Sequence, residues 1–253
     1  MIQRILRHLH RMRNARRLRV PFLRHATFQI PKRMRLGGRT IELAYPDEHG
    51  VRMDFLLCLV DDEYGLRQMR SSVSTVVDIG SNMGFFSIAA RSRFPQATIH
   101  AYEPNSRILP YLRRNAEAGE FGVYPEAVGA AEGWVVIEDT GDSNQARTSA
   151  AANASTGMHQ VALATVVERL GGWIDLAKID CEGAEWDLFK DEMSWQRIGD
   201  VRMEYHLWGR HLFTELQQTL DNLGFDIYYH NPAGEWGTVW ARNRGTSCAA
   251  VVR

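Results

Sequence analysis

Val76-Val77-Asp78-Ile79-Gly80-Ser81-Asn82-Met83-Gly84, followed 25 positions after Asp78 by Glu103 in Ala101-Tyr102-Glu103-Pro104-Asn105, decides the fold of this chain. An apolar, β-branched run breaks into an acidic glycine turn, then into a helical pattern, then into a second short strand that ends on a carboxylate. A doubly wound α/β sheet holds a nucleoside-bearing cofactor in this way: strand, close backbone approach, helix N-terminus, and an acid for the ribose hydroxyls. Gly80 and Gly84 give D-x-G-x-x-x-G, without the G-x-G-x-x-G that closes on a pyrophosphate. S-adenosylmethionine has no pyrophosphate, so the spacing favours a methyltransferase over an NAD-linked oxidoreductase.

Outward from that turn, a strand-helix rhythm begins at Val73. It predicts strands near 73–79, 97–102, 121–128, 174–180, 200–206, 225–230 and 237–242, and helices near 83–94, 106–118, 184–191 and 211–223. Alternation of this kind makes a doubly wound, mostly parallel seven-stranded sheet covered by helices on both faces. The last two strands share only the short link Asn231-Pro232-Ala233-Gly234-Glu235, which suits a terminal hairpin and one antiparallel strand. Residues 28–60 alternate enough to predict short strands around Gly37-Gly38 and the turn Asp47-Glu48-His49-Gly50, before an acidic turn at 61–67 that enters a helix. Residues 139–160 lack periodicity and read as a long loop, either a lid or a surface insertion. The expected organisation is a basic amphipathic segment at 1–25, strands and a helix packed on the core at 26–70, a cofactor-binding domain at 71–245 and a tail at 246–253.

With 253 residues, 45% of them hydrophobic, the chain can bury one substantial core. A net charge of zero hides an asymmetry. Residues 1–40 hold twelve Lys or Arg and no acid, which leaves 18 basic against 30 acidic residues in the body. Ile2, Ile5, Leu6, Leu9 and Met12 recur at helical spacing among Arg4, Arg7, Arg11 and Arg13, so the leader reads as a basic amphipathic helix. Residues 1–20 suit an anionic membrane surface, a nucleic acid, the domain's own acidic face, or a partner subunit in a homodimer. An Arg-rich start also mimics a transit peptide, but Arg outnumbers Lys 27 to 3 along the whole chain, so Arg choice alone decides nothing. Cys58, Cys181 and Cys248 show no paired spacing, which points to reduced thiols and a cytoplasmic setting. No apolar run approaches the roughly 18–20 residues a membrane span needs.

Three further stretches carry chemistry. Leu176-Ala177-Lys178-Ile179-Asp180-Cys181-Glu182-Gly183-Ala184-Glu185 is an apolar strand that discharges into ionisable groups where a helix begins. Val201-Arg202-Met203-Glu204-Tyr205-His206 ends in the same manner. Ligands of open α/β sheets bind outside the carboxyl ends of the strands, so both clusters should border the pocket that Asp78 and Glu103 define. In Val123-Tyr124-Pro125-Glu126-Ala127-Val128-Gly129 a strand ends on small residues that suit an adenine ring.

Taken together, these stretches resemble the FkbM family of S-adenosylmethionine-dependent methyltransferases. The matching residues are 78–84, Glu103-Pro104-Asn105 with Leu112 and Asn115, Glu126-Ala127-Val128-Gly129, and above all Lys178 to Glu185. Ser81 and Cys181 stand where the family commonly has Ala and Val. The resemblance implies the Rossmann-like class I methyltransferase fold, S-adenosylmethionine as cofactor, and O-methylation of sugar or polyketide hydroxyls. Cofactor-binding residues are then expected at Tyr64, Asp78, Gly80, Ser81, Asn82, Gly84, Glu103, Pro104, Asn105, Glu126, Ala127 and Asp180. Gly80 and Gly84 would admit close backbone approach, Asp78 would orient the loop or the methionyl ammonium, and Glu103 would accept from both ribose hydroxyls.

Methyl transfer to a hydroxyl is an in-line displacement that needs alignment, exclusion of water and a base. Candidates for the base are His206, Asp180, Glu182 and Glu204, with Lys178 available to a developing alkoxide. The same acids suit a divalent cation, so metal use stays open. Trp173, Trp186, Trp208, Trp236 and Trp240 suit either sugar stacking or core packing. The expected acceptor is a small molecule or a glycan or glycolipid precursor. An RNA or protein methyltransferase gripping its substrate with the Arg-rich arm, and an inactive binding module, are the alternatives.

Overall fold

The computed structural model describes all residues except 1, 19, 21–28, 37, 71, 139–146, 152–156 and 248–253. Cys248 and parts of the predicted 139–160 loop therefore lie outside the described residues. The basic leader is helix α1 (Ile2–Leu18). Its C-terminal half lies on its own domain: Ala15 and Leu18 are buried, the Asn14 amide donates to the Val60 carbonyl at 2.7 Å, and Arg11 pairs with Asp61. Leu9, Arg13, Arg16 and Arg17 face solvent. Among the described residues no helix is long and apolar enough to cross a membrane.

Strands β1 (Arg33–Leu36) and β2 (Arg39–Glu42) form an antiparallel hairpin at the predicted glycine turn. The expectation of strands up to residue 60 fails beyond it. Helix α2 (His49–Phe55) runs on directly into a π-helical turn, Leu56–Asp61, which ends at Asp62 in the left-handed region. Val51, Phe55, Leu56, Leu59 and Val60 are all buried, a helical stripe that the alternating reading mistook for strand period.

The main sheet follows the predicted rhythm. In chain order come β3 (Thr75–Ile79), α3 (Phe85–Arg93), β4 (Thr98–Tyr102), α4 (Leu109–Gly119) and β5 (Gly122–Tyr124). The chain then leaves this sheet for an excursion. Strands β6 (Ala127–Gly129), β7 (Gly133–Glu138), β8 (Arg147–Ala150) and β9 (Met158–Ala162) form a separate four-stranded sheet in the order β6-β9-β7-β8. This corrects two expectations. The strand predicted at 121–128 divides at Pro125-Glu126, and the stretch read as a loop contributes β8 and β9. Helix α5 (Leu163–Arg169) then leads to β10 (Ile174–Ile179), α6 (Glu185–Leu188), α7 (Glu192–Trp195), β11 (Ile198–His206), α8 (Phe213–Asn222), β12 (Phe225–Pro232) and β13 (Trp236–Asn243). The helix expected at 184–191 is thus only the short α6.

The seven-stranded sheet has the order β12-β13-β11-β10-β3-β4-β5. Strands β11, β10, β3, β4 and β5 are parallel, and β13 alone runs against its neighbours. Four consecutive residues of β3, from Val76 to Ile79, are buried, as a parallel strand covered on both faces requires. One apolar cluster joins α1, α2, α3 and α4 on one face; a second joins α5, Trp195 and α8 on the other. The chain leaves β3 toward β4 and later resumes beside it as β10. The order of strands therefore reverses between β3 and β10, and a crevice opens at their carboxyl ends.

Asn115 on α4 ties this layout together. It is fully buried, its amide exchanges hydrogen bonds with both backbone groups of Ala44 at 2.8 and 2.9 Å, and it donates to the Met83 carbonyl at 2.8 Å. Truncating it strands buried backbone groups of the N-terminal hairpin and of the glycine turn. Asn115→Ala should lower stability by about 3 kcal/mol in urea denaturation, and a change below about 1 kcal/mol would remove this clamp from the account.

Candidate active site

The turn after β3 is built on backbone contact. Gly80 has φ +70, and a Cβ there would lie 1.8 Å from the Asp180 carbonyl oxygen, so only glycine allows the ends of β3 and β10 to meet. Gly80 and Ser81 both donate backbone N–H groups to the Tyr102 carbonyl, at 3.1 and 3.0 Å, which ties the turn to β4. Gly84, with φ +73, opens α3 where a Cβ would strike Phe121 and Leu112.

Glu103 ends β4. Its Oε2 accepts from the Asn82 N–H at 2.8 Å and its Oε1 from the Asn105 N–H at 2.9 Å. Burial pushes its pKa up, against the pull of these two backbone bonds. The carboxylate borders an open cavity at the carboxyl edge of the sheet. Gly80, Asn82, Pro104, Glu126, Ala127, Asp180 and Glu182 line the same cavity, as the sequence led us to expect. Ile79, Tyr102, Val128, Cys181 and Ala184 line it too.

Other expected residues stand behind that wall. Asp78 is fully buried and takes a hydrogen bond from the Ser87 hydroxyl at 2.7 Å. Ser81 is buried, and Asn105 caps the turn before α4 through the Arg107 N–H at 3.0 Å. Lys178 corrects the sequence reading most plainly. Its ammonium, 5% exposed, donates to the Gly80 carbonyl at 2.5 Å and lies 3.3 Å from Asp78 and 3.5 Å from Asp180. Burial lowers its pKa, but those two carboxylates more than reverse this and raise it. With its protons committed beneath the turn, it is not placed to meet an alkoxide in the cavity. Tyr64 does not line the cavity either; its hydroxyl donates to Asp180 Oδ2 at 3.4 Å.

Asp54 is the residue that the sequence reading missed. It reaches the cavity from α2, and its carboxylate accepts from the Asn82 side-chain amide at 2.7 Å. Its position within the Val51–Phe55 helical turn, on the face away from the core, was the available signal. Glu126 lines the cavity, but Arg169 and His159 hold its carboxylate. The bond to Arg169, stacked 4.7 Å over the Tyr124 ring, is the main cause of its lowered pKa.

On the side away from Glu103, acids crowd. His206 is buried; its Nδ1 lies 3.2 Å from Glu185 Oε1, and its Nε2 lies 3.6 Å from Glu182 Oε2 and 3.7 Å from Glu204 Oε1. Burial lowers its pKa, yet the Glu185 bond and the surrounding carboxylates raise it further, leaving the net value above the usual 6.5. With Nδ1 committed to Glu185, only Nε2 is turned toward Glu182 and Glu204. Burial and the Asp180 charge push Glu182 up to about 8, and burial with the same neighbour pushes Glu204 well above its ordinary value. Of the tryptophans singled out, Trp208 lies against His206 at 4.3 Å between ring centroids and covers Gly183, and Trp186 donates to the His206 carbonyl. Trp236 pairs with His206 in the strand register and is half exposed, Trp240 packs with Tyr229 and Arg202, and Trp173 bonds Asp175.

The sequence profile of the methyltransferase FkbM domain matches residues 78–227. A curated relative, "Methyltransferase 1" of Beauveria bassiana (strain ARSEF 2860), is 24% identical over 189 residues, covering 63% of this chain and 75% of that protein. Similar solved structures include ribosomal protein L11 methylase from Lactobacillus delbrueckii subsp. bulgaricus, with TM-score 0.46, 16% identity, and 81% and 84% of the two chains covered. Another is M. capricolum TrmK in complex with S-adenosyl-homocysteine, with TM-score 0.46, 11% identity, and 74% and 69% covered.

The Glu126 to Arg169 tie yields a pH signature. A carboxylate whose pKa is depressed in the folded state stabilises above its unfolded value, ordinarily 4.5, and the gain disappears as pH falls through the folded value. Glu126→Gln should therefore cost about 1 kcal/mol near pH 7, with the gap to wild type narrowing as pH falls below 4.5 in parallel denaturation curves. A gap that stays constant with pH would show that the pair contributes nothing.

Proposed function

The chain belongs to the FkbM family of methyltransferases, and on that premise we propose that it transfers the methyl group of S-adenosylmethionine to a hydroxyl of a sugar, a glycan or glycolipid precursor, or a secondary metabolite. Glu103 is the observation that carries the cofactor half of this reading. Both of its oxygens are fixed by backbone N–H groups, and the carboxylate still faces the cavity, so its remaining lone pairs suit the two hydroxyls of a ribose. Tyr102, Pro104, Ala127 and Val128 offer an apolar wall for adenine, while Gly80, Asn82 and Asp54 border the space for the methionyl end. The donor set fits the cofactor, which when bound supplies an electrophilic methyl on a sulfonium.

The remaining work falls to the protein's own groups. Asp54 and Asp180 give the cavity a negative lining suited to a cationic donor. Asp180, anchored between Lys178 and Tyr64, is a fixed acceptor for the proton of an incoming hydroxyl. Trp208, beside Gly183 at the mouth of the β10 turn, offers a flat face for a sugar ring. Support for oxygen as the methylated atom comes from this carboxylate and from the resemblance set out above.

Two measurements test the reading. Glu103→Ala should weaken binding of S-adenosyl-homocysteine by about 100-fold in calorimetry, the loss of two charge-assisted bonds, and unchanged affinity would detach Glu103 from the cofactor. Asp180→Asn should lower kcat about 100-fold or more, with methyl-labelled cofactor and an extract of the parent cells as acceptor source. Label in a glycan, lipid or small-molecule fraction supports the proposed class; label in RNA or protein overturns it.

A further inference from the structure

The acid-rich side of the cavity is over-supplied for proton transfer alone. One ligand-type atom each from Asp180, Glu182 and His206 falls within 4.8 Å of the other two. We propose that these three side chains form a binding site for a divalent cation, with Glu204 beside it. Its use rests on the methyl-transfer reading; its existence rests on the side chains alone.

Geometry comes first. Two ligands each about 2.1 Å from one ion at a tetrahedral angle lie about 3.4 Å apart. His206 Nε2 and Glu182 Oε2 are 3.6 Å apart, so small side-chain adjustments close the set. Glu204 Oε1, 3.7 Å from the same nitrogen, brings a further carboxylate to the ion's edge.

The state of His206 is the second, independent observation. Its side chain is 4% exposed and its Nδ1 is gripped by the buried Glu185. Its Nε2 is turned toward Glu182 Oε2 at 3.6 Å and Glu204 Oε1 at 3.7 Å, ion-pair distances longer than a hydrogen bond. A carboxylate on the far nitrogen is the arrangement that orients an imidazole for a metal and makes it a better ligand. Here the carboxylate is Glu185, and it also fixes the turn by accepting from the Cys181 and Gly183 N–H groups.

Charge points the same way. Carboxyl groups of Glu182, Glu185 and Glu204 surround His206 within 3.7 Å, and Lys178 lies beyond them, 3.5 Å from Asp180. A cation at Nε2 balances that excess. Carboxylate oxygens with one imidazole nitrogen suit Mn²⁺, a hard cation that also lies in the transition-metal series that binds nitrogen, better than Mg²⁺, which keeps oxygen and water throughout. An acceptor hydroxyl on an open coordination position would release its proton more readily.

Electron paramagnetic resonance with Mn²⁺ on the full chain tests this. Titration should remove about one equivalent of the free-ion signal per chain, and pulsed spectra of the bound ion should carry nitrogen-14 modulation from His206. His206→Ala should abolish the modulation and weaken binding at least about tenfold, and Glu182→Gln should weaken it similarly. Affinity for S-adenosyl-homocysteine, measured on both variants, reports whether they fold. An unchanged free-ion signal, bound ion without nitrogen modulation, or equal binding by folded His206→Ala would each overturn the proposal. Wild type that binds S-adenosyl-homocysteine and ignores Mn²⁺ loses the metal site but keeps the methyl-transfer reading; the reverse result loses that reading alone.

Discussion

A single buried ammonium holds the site together. Lys178 sits at the centre of the sheet, on β10 and directly beside Asp78 of β3. An isolated charge in that position would cost several kcal/mol, so its partners are obligatory. It meets the cost with the carbonyl of Gly80 and the carboxylates of Asp78 and Asp180. Those contacts aim the glycine turn, hold β3 against β10, and fix the carboxylate at which the cavity turns from its ribose-type end to its acid-rich end. Glu103, Asn82 and Gly80 keep their relative places because the turn beneath them cannot shift without stranding that charge.

The distribution of acids around this anchor explains how one cavity has two characters. At the Glu103 end, each carboxylate oxygen is matched to a backbone N–H, so the group is fixed and only its outer lone pairs are left for a ligand. At the other end, Glu182 and Glu204 have few donors and lie beside like charges, and both are pushed toward protonation. The first arrangement suits a neutral diol. The second wants positive charge, whether from a sulfonium, a proton or a metal.

Much of this was legible because strand ends have a strict grammar. Asp78, Gly80, Glu103 and Asp180 could be placed at carboxyl termini by counting apolar runs, and the reversal of strand order then brought those termini together. Depth was not legible. The alternation along a strand says which way a side chain points only if the partner layer is known, so Asp78 and Lys178, read as site groups, turned out to lie under the wall. Asp54 escaped because it comes from a helix outside the recurrent unit. Strand β8 escaped because Arg147-Thr148-Ser149-Ala150 gives no apolar contrast, and β9 because Met158 and Val161 do not alternate with period two, even where backbone pairing is regular.

The π-helical turn at Leu56–Asp61 has a consequence for how this protein can vary. Such a turn is wound one residue looser than its α-helical surroundings. Upstream of it, Asp54 looks into the cavity; downstream, Asp62 reverses the chain and Glu63 grips Thr238 at 2.8 Å. Deleting one residue between them would let the rod rewind to an ordinary α pitch with the phase of its two ends nearly unchanged, because the looser turn accommodates one extra residue in about the same rotation. The angular phase between the two ends is therefore buffered against the loss of one residue, while a longer deletion would turn Asp54 and Glu63 out of register.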